Sequence, residues 1–428
     1  MLSSFGSILA LLLGTAFLLA GSGLFGLLLP LRGQVEGFST AALGLLGTGW
    51  SAGFIAGCFL APRLVRRVGH VRAFGAFASS GAIVALVSGM WIDATGWLLL
   101  RSCTGFTMAG AYMVIESWLN ERSTNETRGT VFGLYMMVTH AAIMAGQMTV
   151  VLGDVSTPYL FMATGILFCL ALLPTAVSTA VTPAPLADVK LDLKGLYANS
   201  PISVVGCFLI GVANGAWGTL GAVYGAEIGI STFEIAVMMS MAVIAGAAAQ
   251  MPVGRLSDRT DRRFVLAGAA LAAALIGLTV YVMAPRMGWI VIIMTGLYGL
   301  LAYTLYSIAV AHANDHAAST DFVKVSSGLL LLYGAGTMAG PLLAGAAMEW
   351  LRPESLFLVT AAAHLGIAVY AALRISRRAP VPVEEREAFA VLPAERAVTP
   401  QSVMLDPRAD AEDADQPAAE KAEPAAVK

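Results

Sequence analysis

Apolar stretches of about 18 residues or more recur along most of this chain, each long enough to cross a hydrocarbon core of about 30 Å as a helix. They fall at 8–31, 40–62, 73–92, 97–119, 129–152, 159–181, 201–224, 233–254, 264–284, 289–311, 325–348 and 355–375. Hydrophobic residues make up 57% of the sequence and charged residues 12%, against about 45–50% and 25% for soluble domains. The chain therefore reads as an all-α integral membrane protein of twelve transmembrane helices. The first stretch, Ile8 to Leu31, has no Lys or Arg before it and no small-residue cleavage site, so it reads as a retained span.

The net charge of −2 hides two regions of opposite sign. Beyond residue 378 there are five basic and eleven acidic side chains; the rest holds 20 basic and 16 acidic. That tail, 376–428, is rich in Ala, Pro, Glu and Asp and is expected to be disordered and cytoplasmic. The stretch 182–200 is the longest earlier polar interruption and divides the spans six and six. The expected organisation is an N-terminal six-helix bundle (1–181), a cytoplasmic linker (182–200) and a C-terminal six-helix bundle (201–375). Cys58, Cys103, Cys169 and Cys207 all lie in apolar spans without metal-ligand spacing and read as packing residues.

Orientation follows from the short loops, because cytoplasmic loops are enriched in Lys and Arg. One alternating set, with the end of the last span, holds 16 basic residues and the other set holds three. Both termini are thus expected in the cytoplasm. Two of the basic loops also mark a repeat: Arg66 and Arg67 precede Asp258 and Arg259 by 192 residues, close to the 193 between the starts of spans one and seven. Independent basic loops arising from the positive-inside bias are the competing reading.

The second of these loops, with Gly254, Leu256, Asp258, Arg259, Arg262 and Arg263, closely resembles the G-x-L-x-D-R-x-G-R-R motif of the major facilitator superfamily; Asp261 stands at the second glycine. The first loop, with Arg63, Arg66, Arg67, Gly69 and Arg72, fits the same pattern, with Pro62 at the first glycine and Arg66 at the acidic position. In the family such loops are thought to latch one half against the other, so the resemblance implies an asymmetric cytoplasmic gate resting on Asp258 more than on Arg66. Topological anchoring is the plainer role for these arginines. Arg101, Gly105 and Gly110 resemble the family's fourth-span R-x-x-x-G-x-x-x-x-G motif. A looser likeness through Glu116-Ser117, Arg128-Gly129 and Tyr135-Met136-Met137 points to the YcaD-like subgroup of bacterial transporters.

On a helix Arg101, Gly105, Met108, Tyr112 and Glu116 form one polar stripe within about 80° of arc, which should face protein or water. At 1.5 Å per residue Arg101 lies about 6 Å and Glu116 about 28 Å from the outer boundary. Arg101 is a candidate for solute contact or proton coupling, with a buried structural role as the plainer reading, and Glu116 reads first as a partner for Arg66, Arg67 or Arg128. His140, about 16 Å deep in span five, is a candidate proton shuttle; a neutral histidine bonded within the bundle is the plainer reading. Asn214, Gln147 and Gln250 offer hydrogen bonds without buried charge, and for the two glutamines helix-to-helix packing stands level with solute contact. Asn214 is the best placed of them, since spans one, four, seven and ten line the cavity in the family resembled. Gly336, Gly340 and Pro341 are expected to let span eleven flex.

Together these features imply a secondary transporter working by alternating access on a small solute, with drive by protons or by the solute's own gradient left open. It is read as a monomer among membrane lipids, without cofactor, metal or nucleic acid; there is no nucleotide-binding P-loop. Two rivals remain: a membrane enzyme using His312, Asn314, Asp315 and His316, and a non-transporting sensor or scaffold with the acidic tail as its output.

Overall fold

The structure, a computed structural model, describes residues 2–123, 127–177, 192–317 and 322–375, and in the C-terminal segment 377, 381, 382, 386, 389, 392 and 399–404. The N-terminal half consists of α1 (Leu2–Val35), α2 (Thr40–Val68), α3 (His70–Met90), α4 (Ala94–Glu121), α5 (Arg128–Thr149) and α6 (Tyr159–Val177). A short helix, α7 (Leu193–Asn199), leads into α8 (Pro201–Glu227), α9 (Thr232–Arg259), α10 (Arg262–Met283), α11 (Gly288–Ala302), α12 (Leu305–Asn314), α13 (Phe322–Trp350) and α14 (Ser355–Ile375). The last described helix is α15 (Pro400–Met404). Among the described residues eleven segments are long and apolar enough to cross a membrane, with α11 and α12 together forming Gly288–Asn314; the described apolar part of α6, Tyr159–Thr175, is shorter. The expected extension of span six to 181 lies outside the described residues.

Pairing of the helices reveals the repeat directly. In the first half α1 packs on α5 and α6, α2 on α4, and α3 on α4 and α6. In the second, α8 packs on α13 and α14, α9 on α11, and α10 on α11 and α14. The backbone approaches match as well. A Cβ at Gly146 would lie 2.0 Å from the Ala20 carbonyl oxygen, and one at Gly340 would lie 2.0 Å from that of Val212. Only glycine lets helices meet this closely, and the two contacts are equivalent in the two halves.

The turns that enter α2 and α9 are also copies. Gly37 and Gly229 adopt φ of +77° and +82°, a region costly for side-chain-bearing residues. Two residues later Ser39 and Ser231 cap the following helices, accepting from Ala42 N and Glu234 N. The motif Gly-x-Ser-Thr thus recurs after 192 residues, a repeat signal that the reading of the arginine loops passed over.

We call the end carrying Arg66 and Arg259 the basic end and the other the distal end. Trp91, Tyr159, Trp289 and Trp350, all exposed, gather at the distal end, as aromatic side chains do at a membrane boundary. Direct contacts between the halves are led by α2 against α13. Gly44 meets the Pro341 carbonyl, Thr48 Oγ1 donates to Met338 O at 2.8 Å, and Ala41 N donates to Glu349 Oε2 at 2.8 Å. Thr40 Oγ1 adds a 2.6 Å bond to Glu227. All of these lie in the middle or distal part of the bundle.

At the basic end, described parts of the C-terminal segment enter the space between the halves. α15 packs on α4 and α13, and Thr399, Gln401 and Ser402 are buried. Leu392 exchanges backbone hydrogen bonds with the Ser307 hydroxyl, and the Phe389 ring occupies the place of a Cβ at Gly254. The expectation of a wholly disordered tail does not hold for these residues, because their side chains find buried partners. Likewise the linker is not all irregular: Asp192 caps α7 by accepting from Gly195 N.

Candidate functional site

A cavity of about 180 Å³ opens between the two halves within the membrane-spanning bundle, lined from α1, α2, α4, α5, α8, α9 and α13. Four of the residues singled out in the sequence meet there: Arg101, Tyr112, Gln147 and Asn214. Space for them comes from small residues. Gly26 on α1 and Gly218 on α8, one repeat apart, line the cavity, and a Cβ on either would meet nothing within 4 Å. Trp50, Ser51, Tyr333 and Thr337 complete much of the wall. Sequence reading missed these four, because spans two and eleven are not among those expected to line the cavity and nothing local marks their inner face.

Each polar group is held differently. The Arg101 guanidinium lies over the Phe25 ring, 5.6 Å from its centroid. Asn214 Nδ2 donates to Tyr333 Oη at 3.4 Å, and Tyr333 in turn packs on Tyr306 with centroids 4.9 Å apart. Gln147 Oε1 accepts from Ser240 Oγ at 3.2 Å, a bond that crosses from α5 to α9 and so joins the halves. Ser51 and Thr48 donate to α13 carbonyls, which ties the cavity wall to the closed distal interface.

The other candidates lie elsewhere. His140 borders a second, mostly apolar crevice between α5 and α9, formed with Met136, Met137, Met144, Val243 and Ile244. Its Nδ1 is 2.7 Å from the Met136 carbonyl. Glu116 is fully buried further toward the basic end, where it accepts from Tyr135 Oη at 2.8 Å and from Thr399 Oγ1. The polar stripe on α4 is therefore split: Arg101 and Tyr112 face the cavity, Gly105 packs on the Trp50 carbonyl, and Glu116 serves the basic end.

Gln250 has a role that no local pattern announces. Span ten is not one helix but breaks at Tyr303 and Thr304, and Gln250 Nε2 donates to the Tyr303 carbonyl at 3.0 Å. A helix break inside a membrane leaves backbone groups that need a partner. Gln250 supplies it, and the same nitrogen reaches Leu392 O at 3.2 Å. Span eleven, where flexing is expected, is helical through Pro341, and Gly336 and Gly340 are sites of close approach to α8.

In the loops, Arg66, Arg67, Arg72 and Arg259 are exposed, and Gly69 makes the α2–α3 turn with φ +84°. The C-half loop folds onto its own half. Arg262 bonds Asp315 at 2.7 Å, Asp258 at 3.1 Å and the Ser257 hydroxyl at 3.2 Å. Asp261 caps α10 and pairs with Arg263 at 2.6 Å. Burial pushes the Asp261 carboxyl up, but the hydrogen bonds from Arg263 outweigh it and hold the group below its ordinary value. The expectation that Asp258 latches onto the opposite half is thus replaced, in this conformation, by an ion cluster within the C-terminal half. His312 and His316 stand beside it with rings 4.6 Å apart. Among the described residues no three His, Cys, Asp or Glu side chains gather as a metal site.

Paired helical halves around a cavity within the bundle define a polytopic transporter-type fold. The Major Facilitator Superfamily model matches residues 11–329 and 203–411. The chain belongs to that superfamily. It is 28% identical over 397 residues to the uncharacterized MFS-type transporter YcaD of Shigella flexneri serotype 5b, covering 88% of this chain and 97% of that one. It is 26% identical over 371 residues to an uncharacterized MFS-type transporter of Yersinia pestis, covering 83% and 92%. Among solved structures, the nucleoside transporter NupG superposes with TM-score 0.72 at 14% identity, covering 87% of this chain and 99% of that one. A bacterial homolog of the human lysosomal transporter Spinster, inward-facing and occupied, gives 0.69 at 16%, covering 90% and 98%. These last two share the fold.

Proposed function

We propose that this protein is a secondary transporter that carries one small solute at a time across a bacterial inner membrane by alternating access, as a monomer with both termini in the cytoplasm. The observation that carries this reading is the cavity within the membrane-spanning bundle between two equivalent halves, with the contacts of α2 on α13 running beside it toward the distal end. Rocking of one half on the other would part these contacts and open the cavity to the distal side. The 16-to-3 split of basic residues supports a cytoplasmic basic end. Arg101, Tyr112, Gln147 and Asn214 are the proposed solute contacts. His140 is the proposed proton-active group, reached through its own crevice.

Cross-linking tests the cycle. Cysteines at Thr48 and Met338, whose side chain and backbone touch across the halves, should trap the protein when oxidised and stop solute flux in proteoliposomes, with recovery on reduction. Undiminished flux in the cross-linked protein would refute alternating access. Comparing uptake with and without a pH gradient tests coupling; equal rates would remove the proton.

A further inference from the structure

Taking the cavity to be the solute site, we propose that it selects a small organic anion, whose charged group docks on Arg101 and whose apolar body lies against Trp50 and the glycine-lined wall of α1 and α8. Arg101 is the one charged residue on the cavity wall, and no Asp or Glu lines it among the described residues. Its one described contact is the Phe25 ring. An arginine held within a membrane without a carboxylate is costly, and a guanidinium offers five N–H donors in a planar fork that matches carboxylate and phosphate oxygens.

The repeat argues that the fold itself does not need this charge. Gly105 packs on the Trp50 carbonyl just as Gly299 packs on that of Ala242. Counting one turn back from each glycine sets Arg101 opposite Thr295 in the equivalent place. Thr295 is fully buried and its hydroxyl donates to the Val291 carbonyl within its own helix. One half therefore builds this position with a small, self-satisfied side chain, and the other places a cation toward the cavity. Charge is present on the α4 side only, which fixes the orientation of the bound anion. The cavity of about 180 Å³ suits one compact solute. A cationic solute would meet Arg101 with no carboxylate on the wall to offset it.

The test uses the purified full-length chain and matched probes: benzoate and pyruvate as carboxylates, phenyl phosphate as a phosphate monoester, benzamide and pyruvamide as neutral counterparts, and benzylammonium as the cation. Binding is followed by tryptophan fluorescence, with Trp50→Phe identifying the reporting residue. At least one anion should bind about tenfold or more tighter than its neutral counterpart, and benzylammonium should not compete. The carboxylate and phosphate arms decide which head group is preferred. Arg101→Gln should abolish the preference while leaving the melting temperature of the unliganded protein close to that of the parent, and Arg101→Lys should restore part of it. Equal binding of acid and amide, preference for the cation, or no binding of any anion would overturn the proposal. Should Arg101→Gln fail to fold, the ranking of the probes on the unaltered chain still decides. Flux of a neutral or cationic solute in proteoliposomes would retain the transporter reading and sink this one; anion binding without flux would do the reverse.

Discussion

Arg262 and Asp315 form a buried ion pair, Nε to Oδ2 2.7 Å, that fastens the α9–α10 loop to the end of α12. Both side chains are almost fully enclosed, at 1% and 3% exposure, whereas Asp258, the second carboxylate on Arg262, is 40% exposed. Removing one partner of a buried pair costs about 3–5 kcal/mol, and the partly exposed Asp258 offsets only part of the loss of Asp315. Asp315→Asn should therefore lower the thermal midpoint in detergent far more than Asp258→Asn. Equal shifts would mean that the loop is held by the exposed carboxylate and that the family-motif aspartate keeps its leading role.

Two glycines in opposite surroundings should respond in opposite ways. Gly340→Ala places a methyl 2.0 Å from the Val212 carbonyl, so α8 and α13 must separate, at about 1–3 kcal/mol for overpacking. Gly26→Ala meets nothing within 4 Å and should shift stability by less than about 0.5 kcal/mol, yet alter solute affinity because it fills the cavity. Thermal unfolding and binding measured on the same two variants would check both; a destabilised Gly26→Ala would show that the space is not open.

The C-terminal segment should shield the basic end. Ser307 is buried beneath Leu392, so a Ser307→Cys variant of the full chain should react slowly with a maleimide. The same variant in a chain ending at Arg378 should react several-fold faster and transport at least as well. Identical labelling of the two would place the segment outside the bundle in solution.

His140 borders its own crevice and not the Arg101 cavity. His140→Gln should leave solute affinity within about twofold, less than about 0.5 kcal/mol, while removing any dependence of flux on a pH gradient. A loss of affinity without change in the gradient response would assign the residue to solute contact.

The helix break at Tyr303 depends on Gln250. Gln250→Leu removes the side-chain hydrogen bond to the Tyr303 carbonyl and should cost about 1–3 kcal/mol, whereas Gln250→Asn should do so only partly less, its amide being one methylene short of the carbonyl. Calorimetric or fluorescence melting of the purified variants would rank them; an unaffected Gln250→Leu would show that the carbonyl finds another partner.

Much of the architecture was legible in the residues, for a physical reason: a membrane demands long apolar helices, and that demand is written locally. The spans, the six-and-six division, the basic loops and the superfamily resemblance all follow from short stretches of chain. Part of the site was legible too, since Arg101, Tyr112 and Asn214 are polar groups on otherwise apolar helices and must face inward. What the sequence left open is which polar residues share one space. Gln147 and His140 lie two turns apart on α5, yet one joins the cavity and the other a separate crevice. Gln250 read equally as a solute contact or a helix-packing group, and it bonds the backbone at a helix break. Asp258 looked like a latch, but Arg262 is held chiefly by Asp315, 53 residues away in the chain. Those outcomes were decided by the rotation and packing of whole helices, set by glycine contacts such as Gly146 on Ala20 and Gly340 on Val212. Local chemistry settles that a helix forms and spans; only tertiary contact settles which of its faces meets which neighbour.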